Sequence, residues 1–84
     1  MEYLVKLKPK VEKELNNLPR KDYYKIIAAL ARLEKDPFVG KKLEGEYRGN
    51  YSIRIWPYRV IYQIYKKELI ILIIRIGHRQ GAYK

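Results

Sequence analysis

Arg54, Arg59, Arg75, His78, Arg79 and Tyr83 all fall in residues 54–84 of this chain, on or just beyond segments that read as strands. A guanidinium held on a rigid strand grips phosphate or carboxylate through two parallel N–H donors. Two such groups side by side stabilise negative charge as it builds on a phosphorane. Histidine exchanges protons near neutrality. Tyrosine, with an ordinary pKa of about 10, needs cationic neighbours to act as a base, and otherwise offers a ring on which a nucleobase stacks. These residue types match recognition or cleavage of a phosphodiester. No cofactor or metal is expected here.

The elements that must position these groups follow from hydrophobic period. Leu4–Lys8 reads as a short strand. Pro9 suits the first turn of a helix, where its missing N–H is not needed, and Val11, Leu15 and Leu18 form one apolar stripe at i, i+4, i+7. Pro19 separates a second helix over 20–35, with Tyr23, Ile26, Ile27, Leu30 and Leu33 at helical spacing. Asp36-Pro37 ends it, because a residue preceding proline disfavours the α conformation. Residues 37–50, with Gly40, Gly45 and Gly49 among Lys41, Lys42 and Arg48, read as a basic loop. The period then becomes two. Strands are expected over 51–56, 58–65 and 69–77, paired antiparallel across short turns.

This order, β-α-α-β-β-β, predicts an α+β fold: a helical hairpin on one face of a small, mainly antiparallel sheet, in one domain over 1–84. Alternation places Tyr51, Ile53 and Ile55 on one face of their strand, and Tyr58, Val60, Tyr62 and Ile64 likewise on the next. In the last strand Ile70, Leu72, Ile74 and Ile76 are the uniformly apolar set. If helices cover those faces, Arg54, Arg59 and Arg75 share the open face with apolar patches at Ile61, Ile71 and Ile73, and Arg79 sits at its rim. Tyr58, Tyr62 and Tyr65 read as sheet packing residues, and Trp56 as local packing beside Pro57.

A hydrophobic content of 48% supports a folded domain rather than a basic tail. Without cysteine, disulfides and thiolate metal sites are excluded, and a single histidine does not build a metal site alone. The opening residues do not read as a signal peptide, and no uncharged apolar run suits a membrane span, so a cytoplasmic protein without a membrane partner is expected. The net charge of +10 is uneven: nine basic and six acidic residues in 1–40 against ten and three in 41–84. The strand-rich half carries +7 of it. That asymmetry points to a polyanion, nucleic acid first and an acidic protein next.

Leu43-Glu44-Gly45, Tyr51-Ser52-Ile53-Arg54, Tyr58-Arg59-Val60-Ile61-Tyr62 and Gly77-His78-Arg79, with Tyr83 four residues on, occur in this order along nearly the whole chain. In that arrangement the sequence resembles the RelE/ParE toxin superfamily, and its ending resembles the RelE branch. The resemblance implies the toxin of a type II toxin–antitoxin pair, an endoribonuclease that cuts messenger RNA in the ribosomal A site. It also implies a RelB-like antitoxin that silences the toxin, and a complex that binds its own operator DNA through the antitoxin. Arg59 and Arg79 match active-site arginines of RelE-like nucleases, and Arg54 matches one of two basic residues on the preceding strand. The other basic position falls on Ser52, a departure. Tyr83 is the counterpart of the C-terminal tyrosine. The tail is also expected to be without the C-terminal helix of longer relatives.

Proton transfer then rests with Tyr83 or His78, or with the substrate and ribosome. His78 and Arg79, one residue apart on a strand, are expected to point oppositely. Contacts to RNA or ribosome are expected from Lys41, Lys42, Arg48, Ser52, Arg75 and Lys84. Two other readings share the fold: a ParE-like protein that poisons DNA gyrase without cutting RNA, and a catalytically degenerate toxin kept in a regulatory complex with its antitoxin.

Overall fold

A computed structural model of the chain describes residues 2–78. Strand β1 (Leu4–Leu7) leads into helices α1 (Pro9–Asn16) and α2 (Arg20–Lys35). A single 3-10 turn, Pro37–Val39, precedes a two-residue strand, β2 (Lys41–Lys42), and a second, Gly45–Tyr47, precedes β3 (Tyr51–Ile55), β4 (Tyr58–Tyr65) and β5 (Ile70–His78). The sheet order is β1-β5-β4-β3-β2. Among the described residues only the β1–β5 pairing is parallel. The expected helical hairpin on a mainly antiparallel sheet is the observed fold.

Helix α1, at eight residues, is too short to be stable alone in water. Tertiary burial holds it: Val11 and Leu15, one turn apart, are both buried in the core, each worth about 1.5–3 kcal/mol. Helix α2 buries Ile26, Ala29, Leu30 and Leu33 at i, i+3, i+4, i+7. Its acidic first-turn residue, Asp22, and its basic last-turn residues, Arg32 and Lys35, complement the helix dipole. Both helices lie on the sheet face bearing Tyr58, Val60, Tyr62, Ile71, Ile73 and Ile76.

Several sequence expectations are corrected here. Ile71 and Ile73, expected on the open face, are completely buried in the core. The cause is an extra residue in β5: Tyr62 pairs with Ile73, but the preceding Ile61 pairs with Arg75, which leaves Ile74 without a partner on β4. This bulge reverses the alternation. Ile70 and Leu72, expected under the helices, therefore lie on the opposite face. Ile76 reaches the core and Arg75 reaches the arginine face, as expected. Ile61 does lie on the arginine face but is fully buried, so it offers no apolar patch. Lys41 and Lys42, read as loop, form an edge strand paired with Ser52 and Tyr51. Trp56 and Tyr65, read as packing residues, are 58% and 43% exposed.

Tyr62 ties the sheet to the segment that follows α2. Its buried hydroxyl donates to the Pro37 carbonyl at 2.8 Å and accepts from the Gly40 N–H at 3.2 Å. Its ring stacks on Tyr51 at 5.8 Å. Close approach explains Gly40, whose φ is ordinary: a Cβ there would collide with the Tyr62 hydroxyl and lie 2.6 Å from the Ser52 carbonyl. Burial is the largest influence on the Tyr62 hydroxyl and pushes its pKa up from 10.0 to about 12.

Three outcomes follow for stability. Tyr62→Phe leaves the Pro37 carbonyl and Gly40 N–H without this partner, so urea unfolding at neutral pH should show a loss of about 1–3 kcal/mol. Because the folded pKa exceeds the unfolded one, the native state holds the Tyr62 proton longer. Its contribution is complete below pH 10.0 and falls as pH rises toward about 12. Wild type should therefore lose stability more steeply than Tyr62→Phe across that window. Equal slopes would show that Tyr62 is not the titrating group. Gly40→Ala should lower the melting temperature, since neither the buried Tyr62 ring nor the Ser52 backbone can easily yield.

Candidate functional site

The β3–β4 hairpin sets the site's first pair. Its turn contains only Trp56 and Pro57, so Ile55 faces Tyr58 and Arg54 faces Arg59 directly. Two-residue turns fix register tightly. Arg59 faces Gly77 on its other side, in β5. One row across the sheet therefore runs Arg54, Arg59, Gly77. The neighbouring row on the same face runs Lys41, Ser52, Ile61, Arg75. This face is the one turned away from α1 and α2.

Like charges directly opposite on a sheet are destabilising. Arg54 is exposed and Arg59 half-buried. Burial, and secondarily the Arg54 charge, lower the Arg59 pKa from its ordinary value. Arginine remains charged at any physiological pH, so the pair stands as a fixed concentration of positive charge. An anion placed beside both charges relieves that repulsion. The Arg75 guanidinium donates to the Tyr47 hydroxyl at 3.0 Å. That bond anchors the loop between β2 and β3 to the arginine face. The loop closes on itself through Leu43 N–H to Asn50 carbonyl (2.9 Å) and Asn50 N–H to Tyr47 carbonyl (3.0 Å). Gly49, at φ 92°, supplies a left-handed turn that side-chain-bearing residues rarely adopt.

The sequence-derived site residues are thus only partly assembled within the described chain. Arg54, Arg59 and Arg75 share one face, with Lys41 at its edge. Ser52 lies on that face but is buried, at 6% exposure. Lys42 pairs with Tyr51, whose register belongs to the helix side. Arg48 is exposed in the loop beside Tyr47. His78 faces Tyr58, its ring edge-on at 5.5 Å, and so lies on the face opposite Arg59. The Tyr58 hydroxyl donates to the Asp22 carboxylate at 2.7 Å, and that bond, with burial and the Asp22 charge, raises the Tyr58 pKa. Arg79, Tyr83 and Lys84 lie outside the described residues.

Sequence reasoning missed Tyr47 and Asp22. The one available signal for Tyr47 was an aromatic residue between two glycines in a basic loop. For Asp22 it was a lone acid in the first turn of an otherwise basic helix start.

A family model described as the ParE toxin of type II toxin–antitoxin systems matches residues 5–83. The toxin RelG of Mycobacterium tuberculosis is 30% identical over 86 aligned residues, covering 100% of this chain and 99% of that protein. The toxin–antitoxin complex RelBE2 of the same organism contains a chain that superposes with a TM-score of 0.85 at 30% identity, over 94% of this chain and 100% of that one. The archaeal RelE–RelB complex of Pyrococcus horikoshii gives 0.83 at 33% identity, over 98% and 100%. A family-model match over almost the whole chain, with relatives of 30% identity or more that share its fold from end to end, has one explanation: the chain belongs to the ParE toxin family, within the RelE/ParE superfamily of type II toxin–antitoxin toxins.

Proposed function

We propose that this toxin is a ribosome-dependent endoribonuclease that cuts messenger RNA in the A site, without a metal, and is silenced by a RelB-like antitoxin. The observation that carries the reading is the direct Arg54–Arg59 pair on the uncovered sheet face. In the reaction, the 2′-oxygen attacks the adjacent phosphorus as its proton leaves. The bond from phosphorus to the 5′-oxygen breaks, giving a 2′,3′-cyclic phosphate and a 5′-hydroxyl. Arg59, half-buried, stabilises the charge on the phosphorane oxygens, with Arg79 as the second donor. Arg54, more exposed, holds the flanking backbone. His78 faces away from Arg59, so we assign the proton transfer, removal from the 2′-hydroxyl and delivery to the leaving 5′-oxygen, to Tyr83, which the family resemblance matches to a C-terminal tyrosine. Lys41, Arg48 and Lys84 add the salt-sensitive attraction to ribosome and message. The antitoxin, in this reading, also carries the complex to its operator DNA.

The ParE description of the matching family model favours a second reading, a gyrase-poisoning toxin without nuclease activity. Primer extension on ribosome-bound message, beside a gyrase supercoiling assay, separates the two. Cleavage stops at A-site codons support the nuclease; inhibition of gyrase with intact message supports the alternative.

Arg59→Ala should lower single-turnover cleavage roughly 100-fold or more, the usual scale for losing one such donor, while ribosome binding weakens far less. Equal losses in binding and cleavage would demote Arg59 to a docking residue. Arg54→Ala removes a like-charge pair, so its thermal stability should rise, by about 0.2–1 kcal/mol, as its cleavage falls. A clear loss of stability would show that the pair is not in net repulsion.

A further inference from the structure

Strand β1 covers only half of the β5 edge. It pairs with Ile70–Ile73, the Lys8 N–H then reaches the Ile73 carbonyl at 3.3 Å, and the chain turns away into α1. Along Ile74–His78, among the described residues, no strand pairs with β5 on that side. A cleft of about 490 Å³ occupies this edge. Lys8 and Lys10 flank it from the start of α1, Arg75 and His78 from β5, and Tyr47 from the loop, with Glu14 the one acid among its lining residues.

We propose that this cleft is a second nucleotide subsite, which takes a phosphate and base of single-stranded RNA flanking the nucleotide held at Arg59. Its volume falls within the range of about 300–1,000 Å³ typical of small-ligand sites. Lys8, Lys10 and Arg75 set three permanent cations against Glu14. The half-buried Tyr47 ring, fixed through its hydroxyl to Arg75, supplies an aromatic surface of the kind on which single-stranded bases stack. The cleft is also continuous with the arginine face. Gly77, one of its lining residues, is the direct partner of Arg59, and adjacent strands lie about 4.8 Å apart. A strand of RNA crossing the sheet end from Arg54 past Arg59 therefore meets Lys8 and Lys10 next. An acidic peptide would also meet these cations, but it has no use for an aromatic platform. The inference deepens the RNA reading and rests on it.

The test uses a 2′-O-methyl hexanucleotide, which cannot be cut, with binding followed by fluorescence anisotropy across a salt series. For single strands each phosphate contact contributes about 0.7 to the slope of log affinity against log salt. The Lys8→Ala/Lys10→Ala variant should bind several-fold more weakly at low salt, with a slope shallower by about 1.4. Lys13→Ala/Lys21→Ala, which removes two exposed lysines that do not line the cleft, should keep the wild-type slope. Tyr47→Leu should weaken binding about fivefold or more through lost stacking. Equal slopes for the two double variants would overturn the subsite, since general charge would then suffice. So would a poly-glutamate peptide that displaces the oligonucleotide from wild type but not from Lys8→Ala/Lys10→Ala, which would mark the cleft as a carboxylate-binding surface. Cleavage of ribosome-bound message with no effect of Lys8 and Lys10, or no binding of the hexanucleotide by wild type, sinks the cleft alone; no cleavage of ribosome-bound message by wild type sinks the RNA reading with it.

Discussion

One extra residue in β5 decides what each face of this protein presents. Without Ile74 as a bulge, strict alternation from Ile71 and Ile73 in the core would carry Arg75 under the helices. A guanidinium there would be buried among Val11, Leu15 and Val60, at a desolvation cost that the core could not offset. With the bulge, β5 is read in one phase up to Ile73 and in the other from Arg75 onward. The first phase fills the core; the second delivers Arg75 to the arginine face and Ile76 back to the core. Bulges commonly re-aim side chains beside functional sites, and this one also coincides with the point where β1 leaves the edge of β5.

What was legible in the sequence depends on whether a pattern had a local cause. The α2 limits and the β4 limits follow from residues at their ends: Pro19 and Asp36-Pro37 for the helix, Pro57 and Lys66-Lys67 for the strand. The β4 faces were legible because Arg59 and Gln63 interrupt the apolar run at a period of two. In β5 the run Ile70–Ile74 contains no polar residue to mark a face, and the bulge arises only from pairing with β4. Lys41 and Lys42 form a strand despite their charge, because Tyr51 and Ser52 offer them an unpaired edge. Tertiary pairing overrides local preference in both cases.

The same division holds for the site. Arg54 and Arg59 were placed correctly because a two-residue turn leaves a single register for their hairpin. The Tyr47–Arg75 contact spans 28 positions and depends on how a glycine-rich loop folds over the sheet, which no spacing rule encodes. His78 was expected to point away from Arg79. Its edge-on contact with Tyr58 places it on the helix side, although its exposure leaves it open to solvent.

Both faces of this sheet follow from one division of labour. The helix side holds Val60, Tyr62, Ile71 and Ile73 in complete burial, together with the Tyr62 hydroxyl network that fixes Pro37 and Gly40. That side supplies the stability. It lets the opposite side keep Arg54 and Arg59 in direct apposition, an arrangement that a fold selected for stability alone would break with a single acidic residue. In the sheet register the two arginines face each other, and Arg59 faces Gly77 on its other side. In the proposed reading, an anion bound at this pair also removes a repulsion already present in the folded chain.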